Sequence, residues 1–249
     1  MQTILRSVSV AGFTALLMTA PVLMSAKNAG TNTQQFTVAT PILPTHTPTL
    51  AEEAASLYDS IHLDEAGLSQ EAFALAWQGY QKLKEQGKVL KADVLSICDF
   101  SQSSRKKRMY IIDVEDKKIL HHTYVAHGRN SGGEYAQSFS NSPESHKSSL
   151  GFYLTKTTYQ GGHGLSLKID GVERGINDKA MTRNIVIHGS DYVTERFIAG
   201  YKFAGRSFGC PAVPARENQK VINLIKGGSV LFIYHPDQRY MQQSKILNS

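Results

Sequence analysis

The sequence is poor in cysteine, tryptophan and proline, with two, one and eight of them in 249 residues. Two cysteines cannot build a disulfide-stapled scaffold, so the fold must rest on an apolar core. With 41% apolar and 19% charged residues, the chain has the material for one good-sized domain and a smaller appendage. His-x-x-x-His spacing is missing among the nine histidines, which argues against a zinc peptidase. After residue 26 there is no apolar run long enough to span a membrane. Dense basic patches are missing too. The net charge is +6, but Lys and Arg are scattered, apart from Arg105-Lys106-Lys107-Arg108. That run reads as a solvated loop before a strand. The charge suits a polyanionic envelope polymer, and no nucleic-acid partner is expected.

What is present starts at the N-terminus. Arg6 precedes an apolar stretch from Val8 to Met24, followed by Ser25-Ala26. This is the layout of a secretory signal over residues 1–26, with an uncleaved anchor as the alternative. Export to the periplasm or cell envelope follows, with no membrane attachment after cleavage. Residues 27–46, rich in Thr, Asn, Gln and Pro, read as a flexible linker.

Thr49 and Glu52 form a capping-box pattern that opens a helix from Leu50 to about Ser60. A second helix is predicted from Ser69 to Gln86, with Phe73, Ala76, Trp77, Tyr80 and Leu83 on one face and Gly87 as its stop. Residues 47–90 are therefore a helical extension. From there the period changes. Runs at Asp93–Cys98, Arg108–Val114 and Ile119–Ala126 read as strands, the last two flanking the polar turn Glu115-Asp116-Lys117-Lys118 as a hairpin. A long polar loop runs from His127 to Ser149. Further strands are expected at Gly151–Thr157, Lys168–Asp170, Asn184–His188 and Ser229–Tyr234, and a short helix at Gln219–Ile225. Residues 91–249 thus form a mainly β domain, sandwiched or closed as a barrel.

Two segments carry chemistry: Ile187-His188-Gly189-Ser190 and Gly205-Arg206-Ser207-Phe208-Gly209-Cys210-Pro211. A thiol attacks a carbonyl as thiolate, and a neighbouring imidazole can take its proton. Gly209 permits close backbone approach, and N–H groups around such a turn can face an oxyanion. Cys98, in a strand-like run, reads as a small buried hydrophobe, with a Cys98–Cys210 disulfide the alternative.

His188-Gly189 followed by Ser207-Phe208-Gly209-Cys210 resembles the His-Gly, spacer, Ser/Thr-x-Gly-Cys signature of the murein L,D-transpeptidase catalytic-domain family, the cysteine L,D-transpeptidases. Val125–Asn130 is similar to that family's strand-to-glycine turn, and Ser149–Leu154 to its Ser/Thr-Pro-x-Gly-x-Tyr-x-Ile stretch. The resemblance covers roughly residues 93–236. It implies a mainly β catalytic domain, Cys210 as nucleophile and His188 as general base and then acid. It also implies that the Gly189 carbonyl orients the imidazole and that the N–H groups of Phe208, Gly209 and Cys210 form an oxyanion hole. The substrates would be peptidoglycan stem tetrapeptides, cleaved after the meso-diamino acid at their third position, with no metal and no organic cofactor. A monomer is expected.

Two departures stand out. The spacer is longer than usual, and the family's arginine two residues after the cysteine is Ala212 here. Arg206 or Arg216 are candidate substitutes. His163, between glycines, is a candidate substrate contact or rival base; Tyr159 is a candidate pocket wall. Ser207 is a candidate substrate ligand or a brace within the turn. His121, His122, His127 and His146 read as surface or hydrogen-bonding residues. An L,D-carboxypeptidase using the same site and a noncatalytic peptidoglycan-binding protein are the rival readings.

Overall fold

In this computed structural model, residues 47–248 are described, and they lie in one compact unit. The predicted signal and linker, residues 1–26 and 27–46, lie outside the described residues. Helix α1 (Leu50–Ile61) starts as its sequence dictates. The Thr49 hydroxyl accepts the Glu52 N–H at 3.3 Å, and the Glu52 carboxylate accepts the Thr49 N–H at 2.7 Å. Helix α2 (Gln70–Glu85) is capped by Ser69, and all five predicted face residues are buried. Phe73, Trp77 and Tyr80 stack in succession along it. Gly87, at φ +67°, ends the helix in the left-handed region that favours glycine.

Eight strands follow: β1 (Val94–Asp99), β2 (Met109–Asp113), β3 (Lys118–Thr123), β4 (Gly151–Gly161), β5 (Gly164–Gly171), β6 (Val186–Ser190), β7 (Ala212–Pro214) and β8 (Val230–Tyr234). They form one mixed sheet in the order β3-β2-β1-β8-β4-β5-β6-β7. β8 runs parallel to β1, and β7 parallel to β6; the other pairs are antiparallel. The outer strands do not end apart. Just beyond β3, the Ala126 N–H donates to the Ala212 carbonyl of β7 at 2.8 Å, so the sheet curls back on itself. Every residue of β8, and all of β1, is buried, as expected of strands covered on both faces.

Three differences from the expectations have physical reasons. The strand expected at Gly151–Thr157 continues to Gly161, and Lys168–Asp170 is the interior of β5, because the two pair as one long hairpin. Helices α3 (Glu195–Tyr201) and α5 (Gln238–Gln243), and strand β7, were not expected; each is too short to show a period. α4 (Asn218–Ile225) agrees within a residue. Finally, Arg105, Lys106 and Lys107 are exposed, but Arg108 is fully buried. Its guanidinium donates to the carbonyls of Val125 (3.0 and 3.1 Å) and Gln102 (2.7 Å) and to Nδ1 of His127 (2.8 Å). A solvated reading fails there because backbone carbonyls replace water. His127, expected among surface or hydrogen-bonding residues, is correspondingly buried. Both cysteines are free.

Candidate active site

The site forms where β6 and the turn entering β7 meet. The β-branched run Val186-Ile187 buries itself against β5, which fixes His188 opposite Ser166 and Ala212. His188 is 3% exposed, and its Nδ1 lies 3.0 Å from the Gly189 carbonyl. A carbonyl can only accept, so that nitrogen carries the proton in the neutral ring, leaving Nε2 as the acceptor. Burial pulls His188 below the usual imidazole value; the Gly189 contact opposes this and the neighbouring His163 reinforces it.

The turn before β7 is braced from within. The Ser207 hydroxyl donates to the Cys210 carbonyl at 2.6 Å and accepts the Gly209 N–H at 3.0 Å. Gly209 has φ +123°, and a Cβ there would lie 2.8 Å from the Lys147 carbonyl oxygen and 2.9 Å from Cδ1 of Ile185. Glycine is therefore required twice over. Cys210 is partly exposed; its sulfur receives the Val186 N–H at 3.5 Å and donates to the Asn184 carbonyl at 3.7 Å. Burial raises its thiol above the usual value, opposed by that N–H and then by the charge of Arg183.

Cys210 and His188 line one cavity of about 440 Å³, together with Tyr159, His163, Arg206 and Ser207. His163, at the tip of the β4–β5 hairpin, stacks on His188 with centroids 4.4 Å apart and planes at 21°. Tyr159 is 39% exposed, with the Lys168 ammonium 5.7 Å from its ring centre. Of the expected oxyanion donors, the N–H of Gly209 is taken by Ser207. Among the described residues, nothing takes the N–H of Phe208 or of Cys210 to another residue. Arg206 donates to the carbonyls of Arg129 (3.3 Å) and Gly132 (3.0 Å), at the exposed rim. Arg216 does not line this cavity; it is exposed beside Glu217, at 3.6 Å. His121 also binds Glu217, and His146 packs its ring on Phe208.

Sequence reasoning missed Arg183, which lines the cavity directly before the strand that carries His188. Its only signal was that position, an arginine preceding a β-branched run that ends in a catalytic-type histidine.

A model of the L,D-transpeptidase catalytic domain matches residues 64–234, more than half of the chain. The chain belongs to that family. The match starts before α2, so it takes in most of the predicted helical extension as well as the sheet. Among solved structures, the chain is similar to an L,D-transpeptidase from Mycobacterium smegmatis at 10% identity, over 57% of this chain and 59% of that one, with a TM-score of 0.35. It is also similar to one from Stackebrandtia nassauensis at 12% identity, over 75% and 80%, with a TM-score of 0.34. The chain spans 50 to 59% of the length of several such relatives. No curated protein sequence gives a significant match. No helix of the described residues is long and apolar enough to cross a membrane.

Proposed function

We propose that this protein is an exported cysteine L,D-transpeptidase of the cell envelope that acts on peptidoglycan stem tetrapeptides. The observation that carries the reading is the meeting of Cys210 and His188 on one cavity, with the Nδ1 proton of His188 committed to Gly189. In the first half-reaction, Nε2 takes the thiol proton and Sγ bonds to the carbonyl carbon of the third stem residue. The developing oxyanion is met by the N–H groups of Phe208 and Cys210. The amide C–N bond then breaks, and D-Ala leaves with the proton from His188. In the second half-reaction, an acceptor amine gives its proton to His188 and attacks the thioester, and the thiolate departs and is reprotonated. Neither half needs an oxidant or a cofactor.

The test incubates the protein and its Cys210→Ala variant with a disaccharide-tetrapeptide, with and without a free D-amino acid, and weighs the products. A Cys210-dependent exchanged or cross-linked product supports transpeptidation. Tripeptide alone assigns the thioester to water, an L,D-carboxypeptidase. No product from folded protein removes the enzymatic reading.

A further inference from the structure

Ala212 stands where the resemblance to the family implies an arginine, and the cavity nevertheless holds a cation from a different part of the chain. Arg183 is half-buried beside the Cys210 turn. Its Nη2 would lie 3.3 Å from a Cβ placed on Gly209, and the next residue, Asn184, offers its carbonyl to Sγ of Cys210. Both Nη atoms of the guanidinium are anchored. Nη1 donates to the Ser140 carbonyl (2.8 Å) and the Ser149 hydroxyl (2.6 Å); Nη2 donates to the Ser145 hydroxyl (3.2 Å) and the Lys147 carbonyl (2.6 Å).

Two features of this arrangement are informative. First, all the partners are neutral: among the described residues no carboxylate pairs with Arg183. Hydrogen bonds to carbonyls and hydroxyls offset part of the cost of such a cation, and an anion forming nearby would offset more of it. Second, a guanidinium has five N–H donors, and the four on its Nη atoms are spent. The fifth, Nε–H, is buried without a partner. No open fork is left to grip a substrate carboxylate. What this residue can offer is its field, and the nucleophile lies within it.

We propose that Arg183 is a positioning residue for Cys210, a cation clamped by the Ser140–Ser149 loop that favours the thiolate and takes over from the arginine absent at position 212. The inference rests on the reading of Cys210 as nucleophile. It assigns the long polar loop a task, that of holding one charge still. Other ionisable groups facing the thiol from the cavity wall are His188, His163, Tyr159, Tyr192 and Arg206; Tyr153 packs near Arg183, and the exposed Glu144, 3.7 Å from His146, lines a smaller cavity with that histidine and Arg183. Of these, Arg206 is the only other permanent cation, and it is exposed at the rim.

The test reads the thiolate, not turnover, so it stands whether or not transpeptidation is observed. Iodoacetamide alkylation of Cys210 is followed against pH in the parent, Arg183→Gln, Arg183→Lys and Arg206→Gln proteins, each checked for native circular dichroism. Arg183→Gln is expected to slow alkylation at pH 7 about tenfold by raising the thiol midpoint. Arg183→Lys should lie closer to the parent, because it loses the hydrogen bonds but keeps the charge. Arg206→Gln, which removes an exposed and solvent-screened charge, should shift the midpoint far less than Arg183→Gln. An unchanged midpoint in folded Arg183→Gln, or equal shifts in the Gln and Lys variants, overturns the proposal and leaves a loop clamp. If Arg183→Gln does not fold, the parent decides by NMR. An Arg183 Nε–H resonance that titrates with the Cys210 midpoint, and is flat in Cys210→Ala, supports the proposal; a flat parent overturns it.

Discussion

At Cys98 the thiol lies in the middle of the curled sheet, fully buried on β1; at Cys210 it lies at a braced turn beside a cavity. Both have an arginine near them, and in both the arginine is held by backbone carbonyls. Arg108, next to Cys98, is as firmly anchored as Arg183, next to Cys210. Yet burial pushes the Cys98 thiol up to about 12, against the pull of Arg108 and with a smaller push from Asp99. A cation alone therefore does not make a cysteine reactive. Cys210 differs in having an N–H donor on its sulfur, an imidazole on the same cavity and a route to solvent. Reactivity here comes from the set of neighbours.

The strongest way to break the comparison is to exchange the fates of the two thiols. Cys210→Ala should lower tetrapeptide turnover on the order of 10⁴-fold, as loss of a covalent nucleophile does, while Cys98→Ala should stay within about twofold. Product formation by mass spectrometry reads both. Comparable losses in the two variants would show that Cys210 acts through the fold and not through its sulfur.

Much of this contrast is legible in the sequence, and some of it is not. The turn Ser207–Cys210 and the strand ending at His188 carry local signals, glycine where φ must be positive and β-branched residues where a strand is buried. The capping box of α1 and the apolar face of α2 are likewise local. The two arginines are not. Arg108 is satisfied by Val125, 17 positions away, and Arg183 by residues 34 to 43 positions away. Their burial depends on where distant carbonyls arrive, so a pattern reader sees only charge. Strand β7 fails for the same reason: three residues have no period, and pairing with β6 makes them a strand.

Direct labelling sharpens the comparison next. In the native protein at pH 8, iodoacetamide should modify Cys210 much faster than Cys98, because Cys210 is partly exposed on a cavity while Cys98 is fully buried. Peptide mapping after timed quenching measures the ratio, and unfolding in guanidinium should erase it. A native ratio near one would mean that the sheet around Cys98 opens readily.

A smaller effect is expected on stability. Cys98→Ser keeps the size of the side chain but puts a hydroxyl where a thiol packed as an apolar group. It should cost about 2 kcal/mol, read as a shift in the urea midpoint, if the hydroxyl finds no acceptor. The same change at Cys210, already in contact with the Asn184 carbonyl and partly exposed, should cost well under half as much. Equal costs would remove the distinction between a packing cysteine and a displayed one.

The finest distinction concerns the imidazole that only Cys210 has. His188 must be neutral to accept the thiol proton, and burial together with His163 holds it below its usual value. Protonation as pH falls therefore removes the base, and the acidic limb of the rate profile should lie below pH 6.5, steepening to about tenfold per unit. The sign for His163 follows from its place on the ring of His188, 4.4 Å between centroids. A charge on His163 disfavours a charge on His188, so His163→Gln should let the His188 midpoint rise. The acidic limb would then move to higher pH by a few tenths of a unit, roughly a twofold loss of rate on the limb with the plateau unchanged. A shift to lower pH would mean that His163 helps protonate His188. Loss of the limb altogether would make His163, and not His188, the group that titrates.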